Sequence, residues 1–224
     1  PIIYYISPQI WAWGPDRIRK IKELVDKMLV LFKFEYGLYK NGGVDVTFVG
    51  HPLLDVVKHA ENRDHLLREL SLSGKRFTVG ILPGSRKNEV KRILPIMLKS
   101  AAIMKKDLGR ERLQFLLPLA KSLDKEGVKK SVEESGVNIK IVEKNRYNAI
   151  SVCDAAMVAS GTATLECALL EIPMAVIYKV NFLTYLLTRA VIRIPYIGLV
   201  NVVAQKKIMP EFLQYNASPK KICL

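Results

Sequence analysis

Cysteine and histidine are scarce, with three of each in 224 residues. Cys153, Cys167 and Cys223 are odd in number and lack CxxC spacing, so neither a disulfide framework nor a zinc site is indicated, which fits a reducing compartment. His59 and His65 fall in a charged helical segment, His51 stands in a Gly-His-Pro turn, and no Ser-His-Asp arrangement or metal cluster emerges. The Walker-type GxxxxGK[ST] loop is absent. So are internal repeats, low-complexity tracts and sustained heptads. The longest nearly apolar stretch, 182–200, is interrupted by Arg189, Arg193 and Pro195, which argues against a membrane-spanning helix. Acidic residues are also few: 21 against 35 Lys and Arg, a formal net charge of +14. That balance favours polyanionic partners, namely nucleic acid, an anionic membrane surface or phosphorylated small molecules. The basic residues are spread out, without helix-turn-helix spacing, an RNP-type aromatic run or a Cys/His finger, so nucleic acid is not expected.

What is present is enough apolar material for a real core, 50% of residues. The chain opens without Met on Pro1-Ile2-Ile3-Tyr4-Tyr5-Ile6, already a strand pattern, and this is expected to be a piece of a longer protein. A strand over 2–6, an amphipathic helix over 16–29 and strand-like runs at 28–34 and 46–49 precede a polar stretch, 58–75, containing one helix (59–70). From there strands at 77–82, 113–118, 139–142, 154–159 and 174–178 alternate with helices near 88–106, 121–135, 145–152, 162–170 and 182–193. Apolar strands alternating with helices predict a doubly wound parallel α/β sheet. Ligands of such sheets sit beyond the carboxyl ends of the strands, so the strand-to-helix loops carry the functional candidates.

Two loops stand out. In Leu82-Pro83-Gly84-Ser85-Arg86, Gly84 lets the backbone turn close to a ligand, Ser85 offers a helix cap, and Arg86 offers a forked cation for phosphate. An ordinary capped loop, with Ser85 and Glu89 as a loosely spaced capping pair, explains the same residues. In Ser160-Gly161-Thr162-Ala163-Thr164-Leu165-Glu166, hydroxyls and free helix N–H groups suit a diphosphate. Glu166, one turn further on, suits the vicinal hydroxyls of a ribose. A plain N-cap is the alternative here. Asn201, set among apolar residues, is either a ligand contact or a satisfied structural amide. The segment Lys179 to Arg193 is apolar and basic, as in an interfacial helix, and equally as in a core helix with cationic ends.

Taken in order, Tyr5-Ile6-Ser7-Pro8-Gln9-Ile10-Trp11-Ala12-Trp13, Thr47-Phe48-Val49-Gly50-His51-Pro52-Leu53, Leu82 to Arg86 with Glu89-Val90, Ala159 to Glu166, and the run from Pro195-Tyr196-Ile197 to Asn201 resemble lipid-A-disaccharide synthases. The resemblance spans nearly the whole chain. It implies an inverting glycosyltransferase of the GT-B type, built from two Rossmann-like domains. Its reaction joins UDP-2,3-diacylglucosamine to 2,3-diacylglucosamine 1-phosphate (lipid X), giving the β-1,6-linked lipid A disaccharide 1-phosphate and UDP.

On that resemblance, residues 1–52 are the end of an N-terminal acceptor domain. Residues 53–210 are the UDP-sugar-binding domain, and 211–224 begin a C-terminal extension. Ser160, Gly161, Thr162, Ala163 and Thr164 would cradle the diphosphate and Glu166 the ribose. Gly84, Ser85 and Arg86 would support phosphate and leaving-group charge, and Asn201 would face the substrate. The general base is expected outside this chain, and no metal or cofactor is expected. The implied location is peripheral, on the cytoplasmic face of the bacterial inner membrane, beside anionic lipid; oligomerisation stays open. The chain by itself is expected to catalyse little. Other UDP-sugar GT-B enzymes, such as a cell-wall N-acetylglucosaminyltransferase or a UDP-sugar epimerase, and a noncatalytic anion- or membrane-binding module are the competing readings.

Overall fold

A computed structural model describes residues 1–58, 62–109, 111–181, 184–186 and 194–223. It resolves into two compact units, Pro1–Val56 with Phe182–Pro195, and Val57–Asn181 with Tyr196–Leu224.

In the smaller unit β1 (Ile3–Tyr5), β2 (Lys27–Val30) and β3 (Val46–Phe48) form a parallel sheet in the order β1-β2-β3. The expected helix over 16–29 is shorter, α2 (Ile18–Leu24), because the chain must extend by Lys27 to enter the sheet. Short α1 (Ile10–Trp13) precedes it, and α3 (Lys33–Asn41), which the periodicity did not suggest, follows β2. Ile10, Met28, Val30, Tyr39 and Val44 form the core, with Ile18, Ile21 and Val25 packed against it. Glu35 is buried within this unit and accepts hydrogen bonds from Ser7 Oγ (2.6 Å), Trp11 Nε1 (3.2 Å) and the Phe32 N–H (3.2 Å). All three residues of β1 are exposed, so neither face of that strand is covered by the described residues of its own unit. The N-terminal segment of this unit ends with α4 (Leu53–Val56).

The larger unit begins with α5 (Arg63–Glu69) and is organised by a six-stranded parallel sheet. Its strands are β4 (Phe77–Leu82), β5 (Leu113–Pro118), β6 (Ile139–Val142), β7 (Ala155–Ala159), β8 (Met174–Tyr178) and β9 (Glu211–Leu213). Every residue of β5 is buried, as befits a strand covered on both faces. Between strands run α6 (Lys87–Leu108), α7 (Lys125–Glu134), α8 (Arg146–Ser151), α9 (Thr162–Leu169) and α10 (Leu199–Ala204), and α11 (Pro219–Ile222) follows β9. On α6, Val90, Ile93, Leu94, Met97 and Ala101 recur at helical spacing and pack into the core with Val79, Ile81, Phe115 and Leu117. Burying each larger side chain of this set contributes about 1.5–3 kcal/mol.

The strand order is β6-β5-β4-β7-β8-β9. Counted within the unit this is 3-2-1-4-5-6, the dinucleotide-fold order, whose direction of winding reverses between the first and fourth strands. Residues 211–224, assigned at the sequence level to a further extension, instead supply the sixth strand and a helix of this unit. Segment 182–195, assigned there to the larger unit, groups with the smaller one. The helix expected over 182–193 lies largely outside the described residues, and with it the question of an interfacial face. Among the described residues no helix is long and apolar enough to cross a membrane.

Candidate functional site

The reversal point falls between β4 and β7, and their register pairs Leu82 with Val158. The chain therefore leaves these strands side by side, into the Gly84–Arg86 loop on one and the Ser160–Gly161 loop on the other. Two segments 75 residues apart in sequence are thus adjacent at the sheet's carboxyl edge.

In the first loop Gly84 has φ +104°, a conformation that L side chains rarely adopt. Arg86, not Ser85, is the N-cap of α6, and no side chain caps it. The helix is closed off instead by Glu89 at its third position, whose carboxylate faces the Ser85 and Arg86 N–H groups, half of a capping box. Burial raises the Glu89 carboxyl above the ordinary carboxylate value, and these N–H groups and the Arg86 charge only partly offset it. Tyr178 at the end of β8 feels the Glu89 charge as well as its own burial, and its phenol is raised. Ser122 Oγ donates to the Ser85 carbonyl (2.7 Å), tying the loop to the segment after β5. Ser85 and Arg86 are both exposed.

In the second loop Gly161 has φ +150°, ψ −161°, a region that only glycine occupies without strain, and open space surrounds the point where a Cβ would sit. As the N-cap of α9 it leaves the first N–H groups of the helix without intrahelical acceptors. Gly161, Thr162 and Ala163 can thus present donors to an anion, reinforced by the helix dipole. Thr164 cannot join them through either polar group. Its N–H donates to the Gly161 carbonyl (3.1 Å), and its fully buried hydroxyl donates to the same oxygen (2.8 Å) while accepting from the Val200 N–H (3.3 Å). Ser160 Oγ donates to the Ile197 carbonyl (2.8 Å), so it meets a ligand only as an acceptor.

Glu166 is 5% exposed and ion-paired to Arg146 at the start of α8, Oε2 to Nη2 at 2.7 Å. Burial raises its carboxyl above the usual value and the Arg146 charge pulls it back in part.

Asn201 is fully buried and all its hydrogen-bonding capacity is used within the chain. Its Nδ2 donates to the Met209 carbonyl (2.9 Å) and Glu211 Oε1 (2.8 Å), and its Oδ1 accepts from the Ile208 and Met209 N–H groups (both 2.9 Å). Glu211 in turn accepts from the Ile197 and Gly198 N–H groups. Of the two sequence-level alternatives for Asn201 the satisfied amide describes it, and the expectation of a direct substrate contact is corrected on that ground.

Similar sequences and a similar architecture are found in known proteins. Residues 1–223 match the family described as Lipid-A-disaccharide synthetase. The chain belongs to that family. It is 49% identical over 223 residues to the lipid-A-disaccharide synthase of Syntrophus aciditrophicus, covering 99% of this chain and 58% of that one. It is 42% identical to the Geobacter sulfurreducens protein of the same name, covering 99% and 57%. The chain thus spans a little over half the length of these curated relatives.

Among solved structures, WaaG, a glycosyltransferase involved in lipopolysaccharide biosynthesis, superposes with a TM-score of 0.55 at 11% identity, covering 88% of this chain and 51% of that one. The Anabaena protein HepE, solved with UDP and glucose, gives 0.50 at 13% identity, covering 100% and 60%. These likenesses establish the fold class, α/β of the GT-B type with Rossmann-like parallel sheets.

Two side chains at this edge escaped the sequence reading of the site. Glu89 was noticed as half of a capping pair with Ser85 and within the resemblance, and not as a site residue. Arg146 was not singled out, although it follows β6 and the rule that picked the other two loops applies equally to that one. Among the described residues no cluster of three or more His, Cys, Asp or Glu is placed to hold a metal ion.

Proposed function

We propose that this chain supplies the donor-nucleotide site of an inverting glycosyltransferase of lipid A biosynthesis. The reaction transfers 2,3-diacylglucosamine from UDP-2,3-diacylglucosamine to 2,3-diacylglucosamine 1-phosphate. The observation that carries the reading is the placement of both glycine-bearing loops at the winding reversal of a 3-2-1-4-5-6 sheet, in a chain of this family.

In this reading the donor diphosphate lies against Ser160, Gly161, Thr162 and Ala163, held by backbone N–H groups and the dipole of α9. Thr164 shapes the loop through its internal hydrogen bonds. Glu166 accepts hydrogen bonds from the ribose hydroxyls. Gly84 and Ser85 let the backbone approach the phosphates, and Arg86 adds a cation. When the acceptor hydroxyl attacks the sugar's anomeric carbon, the bond from that carbon to the phosphate oxygen breaks with inversion and UDP leaves with the electron pair. Fixed donors and Arg86 stabilise that developing charge, which is where electrostatic catalysis is most effective. The base that takes the acceptor's proton is assigned outside this chain. A peripheral position on the cytoplasmic face of the inner membrane suits the acylated substrates, and the +14 charge supports it.

Turnover by the intact protein tests the reading. UDP-2,3-diacylglucosamine with lipid X is expected to yield a disaccharide 1-phosphate and UDP, and Arg86→Ala to lower kcat by about 10²–10³. Turnover of UDP-N-acetylglucosamine with none of the diacylated donor would overturn it in favour of another UDP-sugar enzyme. Absence of any UDP binding would leave a noncatalytic module.

A further inference from the structure

Arg146 and Glu166 are 20 residues apart and come from different helices, yet they form the most deeply buried ion pair among the described residues. The Glu166 side chain is 7% exposed and that of Arg146 33%. The fold brings them together because α8 carries the chain from β6 back across the sheet to β7 and packs against β5 and α9. Asn145, immediately before Arg146, adopts a left-handed conformation (φ 53°, ψ 48°) that turns the chain into α8 at this point.

The contact is asymmetric and unsaturated. Arg146 Nη1 donates to Oε1 over a long 3.4 Å, while Oε2 lies 2.7 Å from Nη2 without a hydrogen bond directed at it. Arg146 Nε is likewise buried without a partner. An ionised carboxylate offers about four lone-pair directions, so most of the acceptor capacity of Glu166 is unspent. A pair built only to clamp two helices would gain by using it, because unmet polar capacity in a buried site carries a cost.

We propose that Arg146 is a positioning residue for nucleotide recognition: its ion pair keeps Glu166 ionised and oriented, so that the carboxylate accepts from a hydroxyl of a vicinal diol. This rests on the reading that Glu166 faces the donor's ribose. Without a cation, a carboxyl this buried favours the protonated form, which donates one hydrogen bond and loses acceptor capacity. The guanidinium charge opposes that change, and Nη2 holds the buried Oε2 at 2.7 Å, so that the carboxylate meets the nucleotide through Oε1. Arg146 itself need not touch the nucleotide.

The experiment compares binding of UDP and 2′-deoxy-UDP by the intact protein, using calorimetry. The wild type is expected to prefer UDP by about tenfold, the scale of a lost hydrogen bond to a charged acceptor. Arg146→Met is expected to reduce the preference to about twofold or less, mainly by weakening UDP. Arg146→Lys should restore part of it, since a cation returns without the fork. Arg86→Ala should weaken both ligands by the same factor, because it acts on phosphate. A folded Arg146→Met protein that keeps the wild-type preference overturns the proposal and leaves the ribose reading of Glu166 intact. If Arg146→Met does not fold, Arg146→Lys decides: unchanged discrimination there overturns the proposal, and reduced discrimination supports it. Equal binding of both ligands by the wild type overturns the proposal together with the ribose reading.

Discussion

The carboxylate of Glu89 occupies the space that a side chain on Gly84 would need: a Cβ built there collides with Oε2. The Gly84–Arg86 loop is therefore shaped from two directions, by a backbone conformation that favours glycine and by an acid five residues on that fills the vacated corner.

Gly84→Ala follows directly from that relationship. It is expected to cost about 1–3 kcal/mol, from strain at positive φ and from displacement of Glu89. UDP binding should weaken in parallel, because Ser85 and Arg86 move with the turn. Urea denaturation and calorimetric titration with UDP check both parts, and an alanine variant with native stability and affinity would contradict the argument.

Glu89 also gives a pH signature. Its carboxyl is raised in the folded protein, so protonation stabilises the fold; that contribution is complete below the ordinary carboxylate value and is lost as pH rises through the raised one. Glu89→Gln has no such titration. Wild-type stability minus that of the variant should therefore fall as pH rises above the ordinary carboxylate value and through the raised one, with Glu166 common to both proteins and cancelling. Denaturation midpoints across that range measure it, and a difference that rises with pH would refute the assignment.

Asn201 yields a prediction of a different kind. Asn201→Ala strands the Ile208 and Met209 N–H groups and the Met209 carbonyl, and removes the donor facing Glu211 Oε1. The expected cost is about 2–4 kcal/mol of stability. Any loss of turnover should track the folded fraction, with KM for donor unchanged in the molecules that remain native. Thermal melting beside steady-state kinetics separates this from a substrate contact, which would raise KM without lowering the melting temperature.

The cysteines should react in order of exposure. Cys153 and Cys167 are buried, and burial pushes both thiols up, Cys167 to about 12, so little thiolate exists at neutral pH. Cys223 is partly exposed, its thiol also raised, and it donates to the Ser100 carbonyl (3.4 Å). Alkylation followed by mass spectrometry should label Cys223 first, and the other two only in denaturant.

What the sequence determined by itself is local. Apolar runs marked β4 to β8 and helical spacing marked α6, because burial on both faces of a sheet or on one helix face imposes those patterns on the chain. The same reading found both glycine loops, since a backbone turn into a helix N-terminus needs particular residues next to one another. It ran past α3, β9 and α10, whose short or mixed patterns carry too few periodic positions to separate helix, strand and loop. Tertiary structure alone decided the strand order, and with it the adjacency of Gly84 to Gly161 and of Arg146 to Glu166. It also decided that Asn201 and Thr164 spend their polar groups inside the chain. A side chain's hydrogen-bond partners depend on which distant segment the sheet sets beside it, and residue type at one position holds no record of that.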